Sequence, residues 1–116
     1  MGVTWRRGCV IAALLSIAGC AAALREEVRV ARDGVRFQVR RADASSVVVA
    51  GDFNGWSPTA HPMRRAGDMW TSVIALPPGE YLFMYIVDGT SWMTPPNAAE
   101  VVPDGFGGRN GKVVVP

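Results

Sequence analysis

After Glu27 the apolar residues recur every second position, and no stretch keeps the spacing of three to four residues that an amphipathic helix needs. Val28 and Val30 flank Arg29, and Asp33-Gly34 is a pair that closes a two-residue hairpin, since both types tolerate positive φ. Val35, Phe37 and Val39 then alternate with Arg36, Gln38 and Arg40, the signature of a strand buried on one face. Val47-Val48-Val49-Ala50 is a short continuous apolar run that stops at Gly51-Asp52. Trp70 to Leu76 is the next strand, ended by Pro77-Pro78-Gly79; Tyr81 to Val87 follows and stops at Asp88-Gly89, and Lys112 to Val115 is the last. Six to eight short strands separated by Gly, Pro and Asp turns predict an all-β fold, a small antiparallel sandwich over residues 28–116.

The front of the chain has a different pattern. Trp5-Arg6-Arg7 precedes the apolar run from Cys9 to Ala18, the layout of a secretory signal with a charged start, an apolar middle and small residues at the cut. The apolar stretch falls short of the roughly 20 residues that span a bilayer. Ile17-Ala18-Gly19-Cys20 resembles the lipobox of bacterial lipoproteins, in which the cut falls just before the cysteine and its thiol takes up diacylglycerol. The resemblance implies a signal peptide over 1–19, a lipidated Cys20 with a brief tether over 20–27, and a membrane held through the lipid anchor. Ala21 is not the aspartate that retains lipoproteins at the inner membrane in enteric-type bacteria. The expected location is therefore the bacterial cell envelope, at the outer membrane where the host has one.

Composition sharpens this. The chain has 116 residues, room for one domain, and its twelve Lys and Arg exceed its ten Asp and Glu only through Arg6 and Arg7. The remainder is formally neutral and its arginines form no block, so a nucleic-acid partner is not expected. Its two cysteines are Cys9 and Cys20. The exported domain is thus expected without disulfide, thiol catalysis or cysteine-ligated zinc, and held together by its core.

Three segments carry a second resemblance. They are Val49-Ala50-Gly51-Asp52-Phe53-Asn54-Gly55-Trp56, then Leu76-Pro77-Pro78-Gly79-Glu80-Tyr81 with Tyr85-Ile86-Val87-Asp88-Gly89 and Trp92, then Phe106-Gly107-Gly108-Arg109-Asn110. In this order and spacing, from about Val35 to Val115, they resemble the glycogen-binding domain of AMP-activated protein kinase beta subunits. They are also similar to the family-48 carbohydrate-binding modules beside isoamylase and branching-enzyme catalytic domains. The resemblance implies an immunoglobulin-like sandwich that binds α-1,4-glucans such as glycogen or starch chains. It also implies roles: Trp56 and Trp92 stack on sugar rings, Asn110 hydrogen-bonds glucose hydroxyls, and Phe106 abuts the sugar.

Physical chemistry supports those assignments independently. A pyranose presents a face of C–H groups to which the electron-rich face of an indole is complementary, and an amide both donates and accepts. Trp56 and Trp92 lie in polar, turn-like settings, which favours a ligand role over a core one, whereas Trp70 opens an apolar strand and reads as core. His61 reads as exposed loop, and Asp52 and Asp88 as turn residues accepting backbone hydrogen bonds.

Two departures from the family stand out. Met84 occupies the place where the family usually has a lysine that donates to a sugar hydroxyl, and Asp88-Gly89-Thr90-Ser91-Trp92 holds one residue more than the kinase-type spacing. With Met84, the residues Leu82, Met84 and Ile86 make an apolar stripe on the face expected to point outward. Such a stripe needs a cover, either the N-terminal strand around Val28 and Val30 or an envelope protein partner. The acids are scattered, and no nucleophile elbow, phosphate loop or metal-ligand spacing is present, so neither catalysis nor a cofactor or metal is expected. Two functions fit: an exported, lipid-anchored α-glucan binder, or an envelope adaptor that keeps the fold without the sugar site.

Overall fold

The computed structural model describes residues 27–96 and 98–116; the expected signal segment and Cys20 lie outside the described residues. Nine strands follow in order: β1 (Val28–Ala31), β2 (Gly34–Arg40), β3 (Val47–Gly51), β4 (Arg64–Ala66), β5 (Met69–Ile74), β6 (Gly79–Val87), β7 (Ser91–Met93), β8 (Glu100–Pro103) and β9 (Arg109–Val115). They form two antiparallel sheets, ordered β1-β2-β5-β4 and β3-β6-β9-β8, with β7 added alongside β6 in the second. An all-β, immunoglobulin-like antiparallel sandwich is therefore the fold.

The alternation maps directly onto the core. Val35, Phe37 and Val39 of β2 and Phe83, Tyr85 and Val87 of β6 are all at most 2% exposed. Phe83 stands edge-on to Phe37 of the opposite sheet, ring centres 5.0 Å apart, and edge-on to Tyr85 at 5.7 Å. Each such side chain contributes roughly 1.5–3 kcal/mol by leaving water, so β2 and β6 clamp the two layers together. Trp70 is core as expected, and its indole N–H donates to the Arg41 carbonyl at 2.9 Å.

Three features differ from the sequence pattern. The strands β4, β7 and β8, three or four residues each, carry no alternation long enough to announce them; they exist because longer neighbours offer a free edge. The first hairpin is shifted by one residue. Ala31 pairs with Gly34, so Arg32 and Asp33 form the turn, and neither has positive φ. Gly34 instead takes φ +140° at the start of β2, where a Cβ would stand 2.7 Å from the Ile74 carbonyl oxygen of β5. Finally, the N-terminal strand does not cover the stripe Leu82, Met84 and Ile86, because β1 pairs with β2 in the other sheet. For Ile86 the cover comes from within the domain: it is completely buried in a cluster with Val48 and Ala50 against which Trp56 packs, while Leu82 and Met84 stay half-buried.

Candidate functional site

The outer face of the five-stranded sheet is built around that stripe. Val48 pairs with Ile86 and Ala50 with Met84 across β3 and β6, and all four point away from the core. Val48, Ala50 and Ile86 form a small apolar cluster of their own, with Trp56 as its lid. This explains why Val47 to Ala50 reads as a continuous apolar run: β3 is buried on both faces, one by the sandwich core and the other by an indole.

The placement of Trp56 follows from the segment after β3. Asp52–Asn54 forms one 3-10 turn, after which Gly55 and Trp56 both take left-handed backbone conformations, φ 69° and 59°. A bulky residue there is strained by roughly 1–2 kcal/mol and needs the surroundings to hold it. Asn54 provides the hold. Its Oδ1 accepts the Gly51 and Ser57 N–H groups at 3.1 and 3.2 Å, and its Nδ2 donates to the Val49 carbonyl and to His61 Nδ1 at 3.1 and 2.8 Å. The two accepted bonds fix which end of the amide is oxygen, so His61 Nδ1 is an acceptor and its ring proton lies on Nε2. His61 is thus half-buried and structural, with its ring edge-on to Phe53, rather than the exposed loop residue expected.

Asp52 completes the hold. Its Oδ1 accepts the Trp56 indole N–H at 3.3 Å, and its Oδ2 accepts the Leu82 N–H at 2.9 Å, continuing the ladder past the end of β3. The Trp56 N–H donates to the Gly51 carbonyl at 2.9 Å. A carboxylate expected only to accept backbone hydrogen bonds therefore also orients the indole. Asp88, with φ 52°, accepts the Ser45 and Ser46 N–H groups and ties the β6–β7 turn to the start of β3.

The longer β6–β7 connection leaves Trp92 on the same face. Val87 pairs with Ser91 across a three-residue turn, and Trp92 pairs with Ile86. Ile86 therefore has one indole packed over it and the other beside it on the neighbouring strand. Trp92 is 48% exposed, while Trp56 is half-buried. Met84, also half-buried, is the next outward residue along β6.

Asn110 is on this face as well, because Leu82 pairs with Lys112 and residues two apart in a strand share a side. It is only 8% exposed. Thr94 Oγ1 donates to the Arg109 carbonyl at 2.8 Å, tying the exit of β7 to the start of β9. Lys112 does not replace the missing lysine: its ammonium is engaged by Glu80 at 3.0 Å and Glu100 at 3.7 Å. The hydrogen bond with Glu80, then the charge of Glu100, raise its pKa above the ordinary lysine value.

Phe106 is displayed by a built loop. Asp104 Oδ1 accepts the Phe106 and Gly108 N–H groups at 2.7 and 3.0 Å, and the Asp104 N–H returns to the Gly108 carbonyl at 3.0 Å. Gly105 and Gly107, both with positive φ, flank the ring, which is 96% exposed. Among the described residues, no group of three or more His, Cys, Asp or Glu side chains is placed to hold a metal ion.

This face therefore presents two indoles, a thioether and a nearly buried amide, with a phenyl projecting from the β8–β9 loop, groups suited to stacking on and orienting a flat polyhydroxylated ligand. Comparison with known families matches residues 34–116 to the glycogen recognition site of AMP-activated protein kinase. The chain belongs to that family. Among curated proteins, this glycogen-recognition domain is 54% identical over 41 residues to the 1,4-alpha-glucan branching enzyme GlgB 2 of Xanthomonas campestris pv. campestris (strain 8004), covering 34% of this chain and 6% of the enzyme. It is 41% identical over 66 residues to the 1,4-alpha-glucan branching enzyme GlgB of Pseudomonas aeruginosa (strain PAO1), covering 54% of this chain and 9% of that enzyme. The domain thus spans less than a tenth of these relatives. Sequence reasoning missed Asn54 and His61 as the supports of Trp56; the Asn54-Gly55 pair signals a turn, but nothing in the order of residues signals that His61 folds back onto it.

Proposed function

We propose that this protein is a non-catalytic α-glucan binder, exported and anchored to the bacterial envelope through lipid on Cys20. The observation that carries the binding part is the convergence of Trp56 and Trp92 on Ile86, with Asn110 on the same face. Family membership and the branching enzymes among its relatives, whose names specify 1,4-alpha-glucan, support the ligand class. Successive glucose units lie on the indoles, the Asn110 amide selects the hydroxyl pattern, and Phe106 presses on the chain from the β8–β9 loop.

Native electrophoresis of the full chain through gels with and without glycogen tests this. Retardation is expected. A folded protein that runs unretarded would leave the adaptor reading, with the Leu82 and Met84 rim as its contact. The anchor is tested separately by membrane fractionation, where Cys20→Ser is expected to move the protein from the membrane to the soluble fraction.

Met84 is the position at which affinity is expected to be tunable. It packs and stacks but cannot donate, so Met84→Lys is expected to tighten maltoheptaose binding about 3- to 10-fold, the worth of roughly one hydrogen bond to an ionised donor partly offset by solvation. Isothermal titration reads the change. An unchanged or weaker affinity would mean that the sugar does not pass over β6.

A further inference from the structure

The two sheets divide the charge of the domain unequally. β1, β2, β4 and β5 carry Arg29, Arg36, Arg40, Arg64 and Arg65 and no acidic residue. Register places Arg29 opposite Arg36, Val73 opposite Arg36, and Thr71 opposite both Gln38 and Arg64. These residues occupy the outer face, because the intervening Val35, Phe37 and Val39 point into the core. Arg29 is held by Glu27 at 2.8 Å and Arg40 by Asp68 at 2.7 Å. Among the described residues, Arg36 and Arg64 have no acidic partner.

Arg36 and Arg64 line one cleft. β4 covers β5 only from Met69 to Thr71, so the edge of β5 beyond Thr71 is left open on that side. A cleft of about 370 Å³ lies there, walled by Arg36, Pro62, Arg64, Thr71, Ser72 and Val73. The Thr71 hydroxyl in its wall is shut off from solvent and has no hydrogen-bond partner. β2 and β4 flank β5, and Arg36 stands opposite Val73 while Arg64 stands opposite Thr71. Their backbones are thus about 11–12 Å apart by ordinary strand spacing and rise, a distance two arginine side chains close by leaning over the strand between them.

We propose that this cleft binds a phosphate group, gripped by the Arg36 and Arg64 guanidiniums. A guanidinium offers a planar fork of donors that matches two phosphate oxygens at once. Two forks arriving from opposite sides need an anion with oxygens in more than one plane, which phosphate has and a carboxylate lacks. The cleft lies on the sheet opposite Trp56 and Trp92, so it works independently of glucan binding. A sugar phosphate and the headgroup of an anionic lipid share this chemistry.

The test follows the arginine Nε–H resonances of the full chain by NMR as inorganic phosphate is added, with ionic strength held constant by chloride. The Arg36 and Arg64 signals are expected to shift together and saturate with one Kd, while those of Arg29 and Arg40 do not saturate. Arg36→Met and Arg64→Met are each expected to raise that Kd at least tenfold while each is retarded by glycogen, relative to its own glycogen-free gel, as much as the wild type is. Equal, non-saturating drift of all four arginines, or an unchanged Kd in both methionine variants, would overturn the proposal. Displacement of phosphate by glucose 1-phosphate but not by phosphatidylglycerol vesicles assigns the site to a soluble ester; displacement by the vesicles alone assigns it to a headgroup.

Discussion

Trp92→Ala is expected to lose glycogen retardation while keeping the wild-type melting temperature, whereas Trp56→Ala is expected to lose both. The contrast comes from burial. Trp92 is 48% exposed at the end of β7, and substitutions at such positions usually change stability by no more than about 0.5 kcal/mol. Its indole has a free face, and removing a stacked sugar contact is expected to weaken binding roughly 10- to 100-fold, about 1.4–2.8 kcal/mol. Trp56 is proposed to stack as well, but it is also the cover over Val48, Ala50 and Ile86. Truncating it would uncover that cluster at a cost of about 2 kcal/mol, less than the roughly 3–5 kcal/mol of a fully buried aromatic. Thermal melts and glycogen gels on the two variants read the difference. Equal loss of stability in both would show that Trp92 is packed in solution, and undiminished binding in Trp92→Ala would remove it from the site.

Asn54→Ala is expected to be the most damaging single change outside the sandwich core. All four hydrogen-bonding positions of its carboxamide are used, two as acceptor and two as donor. At roughly 0.5–1.5 kcal/mol net for each bond, their loss amounts to about 2–6 kcal/mol. The turn that holds Trp56 at φ 59° would then relax toward an unstrained backbone, swinging the indole off Ile86. Asn54→Asp makes a sharper test, because it keeps both accepting bonds and replaces both donors with an anion facing the Val49 carbonyl and His61 Nδ1. Denaturant unfolding should rank wild type above both variants, with glucan binding lost in proportion. A variant that kept full stability would show that the turn is held by Gly55 and Asp52 without the amide.

The core strands are legible in the order of residues alone. The alternation of Val35, Phe37 and Val39, and of Tyr81, Phe83, Tyr85 and Val87, places them, because a pleated strand sends alternate side chains to opposite faces whatever its partners are. The resemblance carried by Gly51 to Trp56 and by Asp88 to Trp92 points to the family. Local signals miss the turn at residues 31–34 by one position, because turn propensity names the residues and the register with β5 chooses which of them takes the positive φ. His61 escapes them for a related reason: a lone histidine beside a proline carries no signal of a partner seven residues earlier.

The sequence by itself determined what each residue does locally. It set the period of two, the places where Gly, Pro and Asp end a strand, and the apolar, stacking and amide chemistry of Trp56, Trp92, Phe106 and Asn110. Only the tertiary structure decided which of these share a surface. Strand register sets side-chain facing, and register is settled by pairing between segments distant in the chain: Ile86 with Trp92, Val48 with Ile86, Leu82 with Lys112. The same pairing put Arg36 and Arg64 on the outer face of one sheet and Trp56 and Trp92 on the outer face of the other. A slip of one residue between strands would leave every local signal intact and carry each of these side chains to the wrong side of its sheet.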